Sequence, residues 1–395
     1  MSIRNNFKHT LAASYLGYIT QAIVNNFAPL LFVTFQNTFD ISLEKIGYLV
    51  TVNFCLQLLV DFIAAKFVDK IGYRICIVAA HIFAGIGLIM MGVLPFAFND
   101  PYWGLIVSIM FYAVGGGLIE VLISPIVEAC PTDKKSAAMS LLHSFYCWGH
   151  VAVILLTTLF FAVAGISNWR ILATLWAVIP LFNALYFCFV PINQLPAAEE
   201  TGSMKRLFKS KLFWILVLLM ICSGASEQGM SQWSSAFAEM GLNVSKTVGD
   251  LLGPCMFAVM MGISRVFYAA FSSKINLEKF IAASCVFCVA AYLIASFSPY
   301  PVLALIGCGI CGLSVGILWP GVFSLAAEKA PTGGTMMFAL LALAGDLGCS
   351  SGPTLVGVVS SAFGDNLKTG FLAAIVFPAA LIIGIIMLRK TKSKI

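Results

Sequence analysis

Long apolar segments, separated by short charged or Pro/Gly-containing breaks, follow one another along almost the whole chain. A helix needs roughly 20 mostly apolar residues to cross the hydrocarbon core of a bilayer. A membrane β-barrel would instead show alternating segments of about 10 residues, and runs such as 375–388 do not alternate. The pattern therefore predicts twelve transmembrane helices, near residues 9–36, 45–69, 75–96, 102–130, 135–165, 168–190, 212–240, 246–272, 277–298, 300–329, 334–362 and 366–388.

Composition supports a membrane protein. Of the 395 residues, 60% are hydrophobic and only 10% are charged, whereas a soluble domain carries about a quarter charged residues. Such a chain cannot cover its surface in water, which excludes a soluble enzyme, a nucleic-acid-binding protein and a disordered chain. The sequence contains neither a soluble catalytic domain nor a Walker loop, so we expect a protein that is not an enzyme and is not driven directly by ATP.

Most of the 12 cysteines lie inside apolar segments, without the spacing of metal-binding pairs. We interpret them as small apolar residues with no disulfide framework. Cys308 and Cys311 form a CxxC pair, but in a Gly-rich membrane helix packing is the favoured interpretation. No metal and no cofactor are expected.

The distribution of Lys and Arg predicts the orientation. With the N-terminus in the cytoplasm, 18 of the 23 basic residues fall on the cytoplasmic side and 4 on the outer side, with Arg265 inside a span. Positive residues accumulate on the cytoplasmic side of membrane proteins. We therefore expect a multi-pass protein of the plasma (bacterial inner) membrane with both termini in the cytoplasm. The N-terminus shows no cleavable signal peptide, so the first span is expected to remain.

The two halves of the sequence resemble each other. Three polar residues in the second half of the second span have counterparts 204 residues later. Asp61 corresponds to Arg265, Asp69 to Ser273 and Lys70 to Lys274. Glu128 to Pro131 likewise has a counterpart in Glu328 to Pro331. Two similar six-helix halves with a substrate site near the midplane are typical of secondary transporters. The predicted fold is an all-α polytopic membrane protein built from two pseudo-symmetric six-helix bundles, 1–190 and 212–395, joined by a cytoplasmic linker, 191–211.

Glu120 is the leading candidate for proton coupling. A carboxylate in the middle of a span is costly unless it faces a cavity, finds a partner or becomes protonated. The three glycines at 115–117 would allow close packing or a bend of the same helix. His143 could share the proton or bind substrate. The alternative for both residues is a structural hydrogen bond between helices.

Polar and aromatic side chains at helical spacing suggest a binding site. Amides and acids within spans are costly unless they line water or bond across helices, and amides beside aromatic faces suit a polyhydroxylated ligand. The alternative is hydrogen bonding that only joins helices. The candidate substrate-binding residues are Gln21, Asn25 and Asn26 in the first span, Tyr146 and Trp148 in the fifth, Glu227, Gln228 and Gln232 in the seventh, Trp319 in the tenth and Asp346 in the eleventh.

Residues 65–74, AKFVDKIGYR, resemble the loop between the second and third spans of the major facilitator superfamily, Gly-x-x-x-Asp-Arg/Lys-x-Gly-x-Arg/Lys. Ala65 and Lys70 are mild departures from that pattern. The resemblance implies two bundles that alternate about a central site. Charged residues near this loop, and at the matching positions of the internal repeat, are therefore expected to gate access to the central site. The alternative is that they only fix the topology. These residues are Asp69, Arg74, Glu128, Arg265, Lys274 and Glu328. Asp69 is expected near Gly333 and Glu128 near Arg74.

Within that superfamily, residues 115–125, GGGLIEVLISP, and 141–149, LLHSFYCWG, are similar to the fourth and fifth spans of the fucose/glucose–proton symporter group. Ser124 stands where that group often has Asn. The resemblance implies proton-coupled sugar transport.

These observations favour a secondary active transporter for a small polar solute, with a neutral sugar as the favoured class. Its expected partners are the solute, the proton and the lipid bilayer, with no nucleic acid, and the chain is expected to be a monomer. The first alternative is a proton-driven exporter of drugs or metabolites, and the second is a receptor or sensor built on a carrier fold. Uptake of an anionic solute is less favoured because Arg265 is the only basic Lys or Arg placed within a span.

Overall fold

The structure, a computed structural model, describes residues 3–131, 135–193, 204–271, 274–330 and 334–391, apart from the side chains of 65, 66, 69, 135–137, 140, 204–206, 269 and 334–336. Across these ranges every regular element is helical. Twelve of the helices are long and apolar enough to cross a membrane. This confirms the predicted number of spans, and most helix ends agree with the prediction to within a few residues.

The first six membrane helices begin with side-chain caps where the sequence offers them. The helices are α1 (Phe7–Phe39), α2 (Leu43–Ile71), α3 (Tyr73–Ala97), α4 (Pro101–Glu128), α5 (Lys135–Ala164) and α6 (Trp169–Phe189). The side chain of Asn6 accepts a hydrogen bond from the backbone N–H of Lys8, and that of Asp100 from Tyr102, which satisfies groups that helix starts leave unpaired. A 3-10 turn at Ala28–Leu31 interrupts α1.

Several of the last six helices are irregular. They are α7 (Lys211–Gly241), α8 (Lys246–Tyr268), α9 (Leu277–Phe297), α10 (Pro301–Lys329), α11 (Gly334–Ala362) and α12 (Leu367–Lys390). Wide π-helical turns occur at Phe237–Gly241 in α7 and at Leu251–Cys255 in α8. The regular part of α10 breaks between Val315 and Leu318. Such interruptions in membrane helices commonly line functional sites.

The chain forms two compact units. One comprises Met1–Ile41 and Val52–Ala198, and the other comprises Ser42–Thr51 and Glu199–Ile395. The first turns of α2 therefore count with the second unit, where the Thr51 hydroxyl hydrogen-bonds the Thr354 hydroxyl on α11. The described residues exclude 194–203, the middle of the predicted linker, and the predicted boundaries at 190 and 212 remain a prediction.

In the first unit, glycines bring α3 and α4 into backbone contact at three levels. A Cβ atom added at Gly87 would lie 2.4 Å from the backbone nitrogen of Tyr112, and one at Gly104 would lie 2.5 Å from the carbonyl carbon of Leu94. A Cβ at Gly115 would lie 2.5 Å from the backbone oxygen of Ala80. Real Cβ atoms do not approach so closely, so each contact requires glycine. Small residues at such interfaces maximise van der Waals contact in a membrane.

The second unit uses the same device. A Cβ added at Gly348 on α11 would lie 2.0 Å from the Ile221 oxygen on α7, and one at Gly312 on α10 would lie 2.2 Å from the Phe257 oxygen on α8. The cysteines here serve packing. The thiols of Cys308 and Cys311 are fully buried, and the described part of the chain holds no disulfide.

Candidate functional site

Two glycines of α4 open the space in which the polar cluster of the first unit forms. A Cβ added at Gly116 would lie 3.1 Å from the side-chain oxygen of Gln21 and 3.2 Å from Cδ of Gln57. One added at Gly117 would lie 2.9 Å from the Gln57 backbone oxygen and 3.1 Å from Oδ1 of Asp61. The glycine run predicted to allow close packing therefore lets polar side chains of α1 and α2 lie directly against α4.

Glu120 follows these glycines by one helical turn and stays accessible. Its side chain is exposed, and Nε2 of Gln21 donates a hydrogen bond to its Oε2 at 3.2 Å. One turn further along the same face, the hydroxyls of Ser124 and Tyr18 lie 3.2 Å apart. A carboxylate in the middle of a membrane helix thus has a polar neighbour and lies at the surface of its unit.

Four buried amides extend this cluster from α4 through α1 to α2. Gln21 also donates to Oε1 of Gln57 at 2.8 Å. Gln57 in turn donates to Oδ1 of Asn25 and of Asn53, both at 2.9 Å. All four side chains are at most 6% exposed. Bonding across three helices satisfies amides that would otherwise be costly in an apolar interior.

Aromatic residues of α5 meet the cluster at Tyr18. The ring of Tyr18 lies edge-on to the ring of His143 at 5.4 Å and to that of Tyr146 at 6.4 Å. Trp148 lies two residues beyond Tyr146, on a different face of α5, and is 62% exposed. Of the three candidates on α5, the structure therefore brings two to the Glu120 cluster. Asn26 is buried, and its amide donates to the Ala22 oxygen of its own helix.

The second unit carries its own polar chain on α7 and α8. Nε2 of Gln232 donates to Oε1 of Gln228 at 2.9 Å, and Nε2 of Gln228 donates to Oε1 of Glu227 at 3.2 Å. The other carboxylate oxygen of Glu227 lies 3.9 Å from Nη2 of Arg265. The three seventh-span candidates therefore form one chain that ends on an ion pair. The sequence predicted a gating role for Arg265, whereas in the structure Arg265 pairs with Glu227, one of the substrate-binding candidates.

Arg265 also stabilises the break in α10. In an uninterrupted helix the oxygen of Gly316 would accept from the backbone N–H of residue 320, but Pro320 has none. Nε of Arg265 donates to this oxygen at 3.2 Å. One guanidinium therefore serves a carboxylate on α7 and a freed carbonyl on α10.

The Trp319 ring packs against the backbone of α11 at a glycine. A Cβ added at Gly345 on α11 would lie 2.3 Å from the Trp319 ring, so the indole from α10 rests directly on the α11 backbone. Asp346 is the next residue and is 9% exposed. The role of Trp319 and Asp346 in binding substrate stays a prediction.

The candidate gating residues lie near helix ends, except Arg265. Nη1 of Arg74 donates to the backbone oxygens of Phe187 and Cys188 at 2.7 and 3.1 Å, which joins the start of α3 to the end of α6. Lys274 and Glu328 are exposed, and Glu128 is half-buried. The Asp69 side chain and Gly333 lie outside the described residues, so their expected contact stays a prediction.

Among the polar residues that the structure places in networks, three were not predicted from the sequence. Asn53 and Gln57 belong to the amide cluster, and with Asp61 they recur every four residues along α2, a periodicity that would have marked one face. Glu278 accepts from Nε of Arg389 at 2.7 Å and lies 3.5 Å from Nζ of Lys329. It stands 204 residues after Arg74, so the repeat could have identified it.

Comparison with known proteins identifies the fold. The family model of the Major Facilitator Superfamily matches residues 14–353, which confirms the resemblance seen in residues 65–74. A curated relative, "Membrane protein MosC" of Rhizobium meliloti, is 23% identical over 345 residues, covering 86% of this chain and 81% of the relative.

Solved structures agree. A bacterial homologue of the human lysosomal transporter Spinster superimposes with a TM-score of 0.80 at 15% identity, covering 97% of both chains. The nucleoside transporter NupG superimposes with a TM-score of 0.77 at 14% identity, covering 98% of this chain and 100% of that one. The fucose:proton symporter of E. coli superimposes with a TM-score of 0.65 at 18% identity, covering 96% and 98%. At these identities the likeness shows the fold.

Proposed function

Since the chain belongs to the Major Facilitator Superfamily, we propose that it is a proton-coupled transporter that takes up a small polar solute, a neutral sugar by preference, by alternating access. The observation that carries this proposal is Glu120: an exposed carboxylate in the middle of α4, hydrogen-bonded to Gln21. Protonation would remove its charge and so lower the cost of moving it through an apolar environment. His143, which reaches the same cluster through Tyr18, is the second candidate on the proton path.

The chemistry of the polar groups supports a sugar. The first unit presents amides and phenols, which both donate and accept hydrogen bonds as hydroxyl groups require. The second presents Gln228, Gln232 and Trp319, whose ring offers an apolar face. The guanidinium of Arg265 on α8 already serves Glu227 and Gly316, which disfavours an anionic solute. Two of the solved structures that the chain resembles are a fucose:proton symporter and a nucleoside transporter, both for polyhydroxylated solutes.

The charge distribution supports a plasma-membrane protein with both termini in the cytoplasm. We further propose that it acts as a monomer. Reporter fusions after Asp100 and after the C-terminus would test this topology. The proposal expects activity of a cytoplasm-specific reporter only at the C-terminus.

Transport itself is tested with purified protein in weakly buffered liposomes. We expect that one member of a panel of neutral sugars raises the thermal unfolding temperature, because a ligand stabilises the state that it binds. Adding that sugar should then drive protons inward together with it. Glu120→Gln should abolish proton movement, while Glu44→Gln should not, since the Glu44 carboxylate lies at the start of α2, where it accepts a hydrogen bond from the Tyr48 hydroxyl.

Two results would overturn the proposal. Unchanged sugar-driven proton flux in Glu120→Gln would remove that residue from the proton path. Proton movement opposite to the solute, with unrelated apolar compounds as substrates, would instead establish the alternative of a proton-driven exporter.

A further inference from the structure

The hydrogen bonds of the amide cluster run in one direction away from Glu120. The amide nitrogen of Gln21 serves two acceptors, Oε2 of Glu120 and Oε1 of Gln57. The amide nitrogen of Gln57 likewise serves Oδ1 of Asn25 and of Asn53. Each glutamine therefore turns its N–H groups toward both of its neighbours, and the direction in which Gln57 points follows from that of Gln21.

An ionised Glu120 requires this direction, and a protonated Glu120 favours the opposite one. A carboxylate is only an acceptor, whereas a carboxylic acid also has a hydrogen to donate. The Gln21 side chain is 2% exposed, and its oxygen Oε1 is buried with no hydrogen-bond partner. Turning the amide by half a rotation would present this oxygen to the acid. The two ends of an amide have nearly the same shape, so the rotation needs no extra room.

A turned Gln21 would force its neighbour to turn as well. Its oxygen would then face Oε1 of Gln57, two acceptors at hydrogen-bond distance with no hydrogen between them. If Gln57, Asn25 and Asn53 turn too, the Gln57 nitrogen donates to Gln21, its oxygen receives the amide hydrogens of both asparagines, and the hydrogen bond that Asn53 donates to Asn25 reverses. The same heavy atoms thus support two patterns of opposite polarity, which differ at Gln21: its oxygen lacks a partner in one pattern and its nitrogen lacks one in the other.

We propose that Gln21, Gln57, Asn25 and Asn53 form a hydrogen-bond relay that reverses when Glu120 gains or loses its proton, and so reports the protonation state of α4 to α1 and α2. This inference rests on the proposed proton-coupling role of Glu120. Gln57, whose side chain bonds to the amides of Gln21, Asn25 and Asn53, is a positioning residue in it. The chemical signal travels without net charge, because none of the four amides titrates.

Other titratable groups lie on the helices that pack around the cluster. They are Tyr18 on α1, Asp61 on α2, His81 on α3, His143 on α5 and Glu128 on α4 itself. A relay driven by Glu120 requires that substitution of Glu120 alone removes the pH-dependent infrared signal. If the signal persists in the Glu120 variant, each of the other five groups is substituted in turn.

The test is pH-dependent infrared difference spectroscopy of the full-length protein. Wild type should show a carboxylic-acid carbonyl band on acidification, together with shifted side-chain amide carbonyl bands. Glu120→Gln should lose both sets of bands. An acid band that depends on Glu120 without any amide change would overturn the relay but leave the proposed function standing. The lack of an acid band that depends on Glu120 would overturn both.

A variant locates the coupling at Gln57. Gln57→Met keeps the approximate shape but removes the amide, so the shifted amide bands should fall to the part that Gln21 contributes through its contact with Glu120, while the acid band persists. The pH at half-maximal proton uptake should move by about one unit, a tenfold change in proton affinity. Thr157→Val is the matched control, because it removes a buried inter-helix hydrogen bond of the same unit, from Trp176 at 3.1 Å. It should leave the pH profile unchanged, and an equal shift in both variants would contradict the relay.

Discussion

Arg74 and Glu278 occupy equivalent places in the two halves of the chain, 204 residues apart, and each ties the third helix of its half to the sixth. Arg74 at the start of α3 donates to the last carbonyls of α6. Glu278 at the start of α9 accepts from Arg389 near the end of α12. Asp61 and Arg265 have the same offset and also opposite charges. The repeat therefore preserves the position of a polar contact rather than the sign of its charge.

This relationship predicts a modest structural role for Glu278. Its partner Arg389 has a side chain that is 46% exposed, and exposed ion pairs contribute about 0.2–1 kcal/mol. Glu278→Gln should therefore lower the unfolding temperature slightly, and added salt should shrink the difference from wild type because it screens exposed charges. Thermal unfolding at two salt concentrations measures both effects. A complete loss of transport at unchanged stability would show that Glu278 does more than join helices.

The close contact of α3 and α4 predicts that Gly115→Ala is strongly destabilising. The new methyl group would lie 2.5 Å from the Ala80 oxygen, and overpacking of a tight interface costs about 1–3 kcal/mol. Gly262→Ala is the control, since a Cβ there meets no atom within 4 Å and alanine is favoured over glycine in helices by up to about 1 kcal/mol. Thermal unfolding should thus move in opposite directions for the two variants. Equal tolerance of both would mean that the helices separate easily.

The ion pair of Glu227 and Arg265 predicts a non-additive pair of substitutions. Arg265→Met leaves the nearly buried Glu227 without this positive partner, which should cost less than the roughly 3–5 kcal/mol of a fully buried pair because the Arg265 side chain is 30% exposed. Adding Glu227→Gln should recover part of the loss, since coupled residues are not additive. A double-mutant cycle of unfolding free energies checks this. A double variant as unstable as the summed single variants would show that the two charges do not interact.

The second contact of Arg265 predicts that Pro320→Ala is compensating. Alanine restores the backbone N–H that the Gly316 oxygen lacks, so this carbonyl no longer needs the guanidinium. Pro320→Ala should therefore reduce the stability loss caused by Arg265→Met. Comparison of the unfolding temperatures of the two single variants and the combination measures the effect. If the combination is no more stable than Arg265→Met alone, the guanidinium is not what satisfies the carbonyl.

The proposed sugar site predicts a loss of affinity when its amides are removed. Replacing Asn25, Gln228 and Gln232 with alanine should raise the Kd of the sugar found in the thermal-shift panel at least tenfold, about 1.4 kcal/mol. Titration calorimetry measures this, with Thr157→Val as a control for general loosening of the fold. Full affinity in the triple variant would mean that these amides only join helices.

The helices were predictable because a single physical requirement dominates them. A span in lipid must be long, apolar and internally hydrogen-bonded, and that requirement is visible in local sequence. The internal repeat was also predictable, because the 204-residue offset between Asp61 and Arg265 recurs at neighbouring positions of the two halves. Interruptions were harder to predict. The π-helical turns at Phe237–Gly241 and Leu251–Cys255 depend on packing between helices, which local sequence does not contain.

Single site residues could be predicted, but their partners could not. Glu120 stood out because an acid in an apolar helix is costly unless it faces a cavity, finds a partner or becomes protonated. That Gln57 lies beside Gln21, or that Arg265 reaches both Glu227 and Gly316, depends on which faces of distant helices meet. Trp148 shows the same limit: proximity in sequence to Tyr146 suggested a shared role, but a helix turns consecutive residues to different sides.

The glycines at 87, 104 and 115 have a mechanical consequence. Two helices that are in backbone contact along their length can neither rotate nor slide relative to each other without breaking that contact. The third and fourth helices should consequently move as one rigid body. Spin labels placed on both helices should report a constant separation throughout the transport cycle. The Glu120 side chain would then move together with both helices, and a displacement of one helix would be transmitted in full to the other.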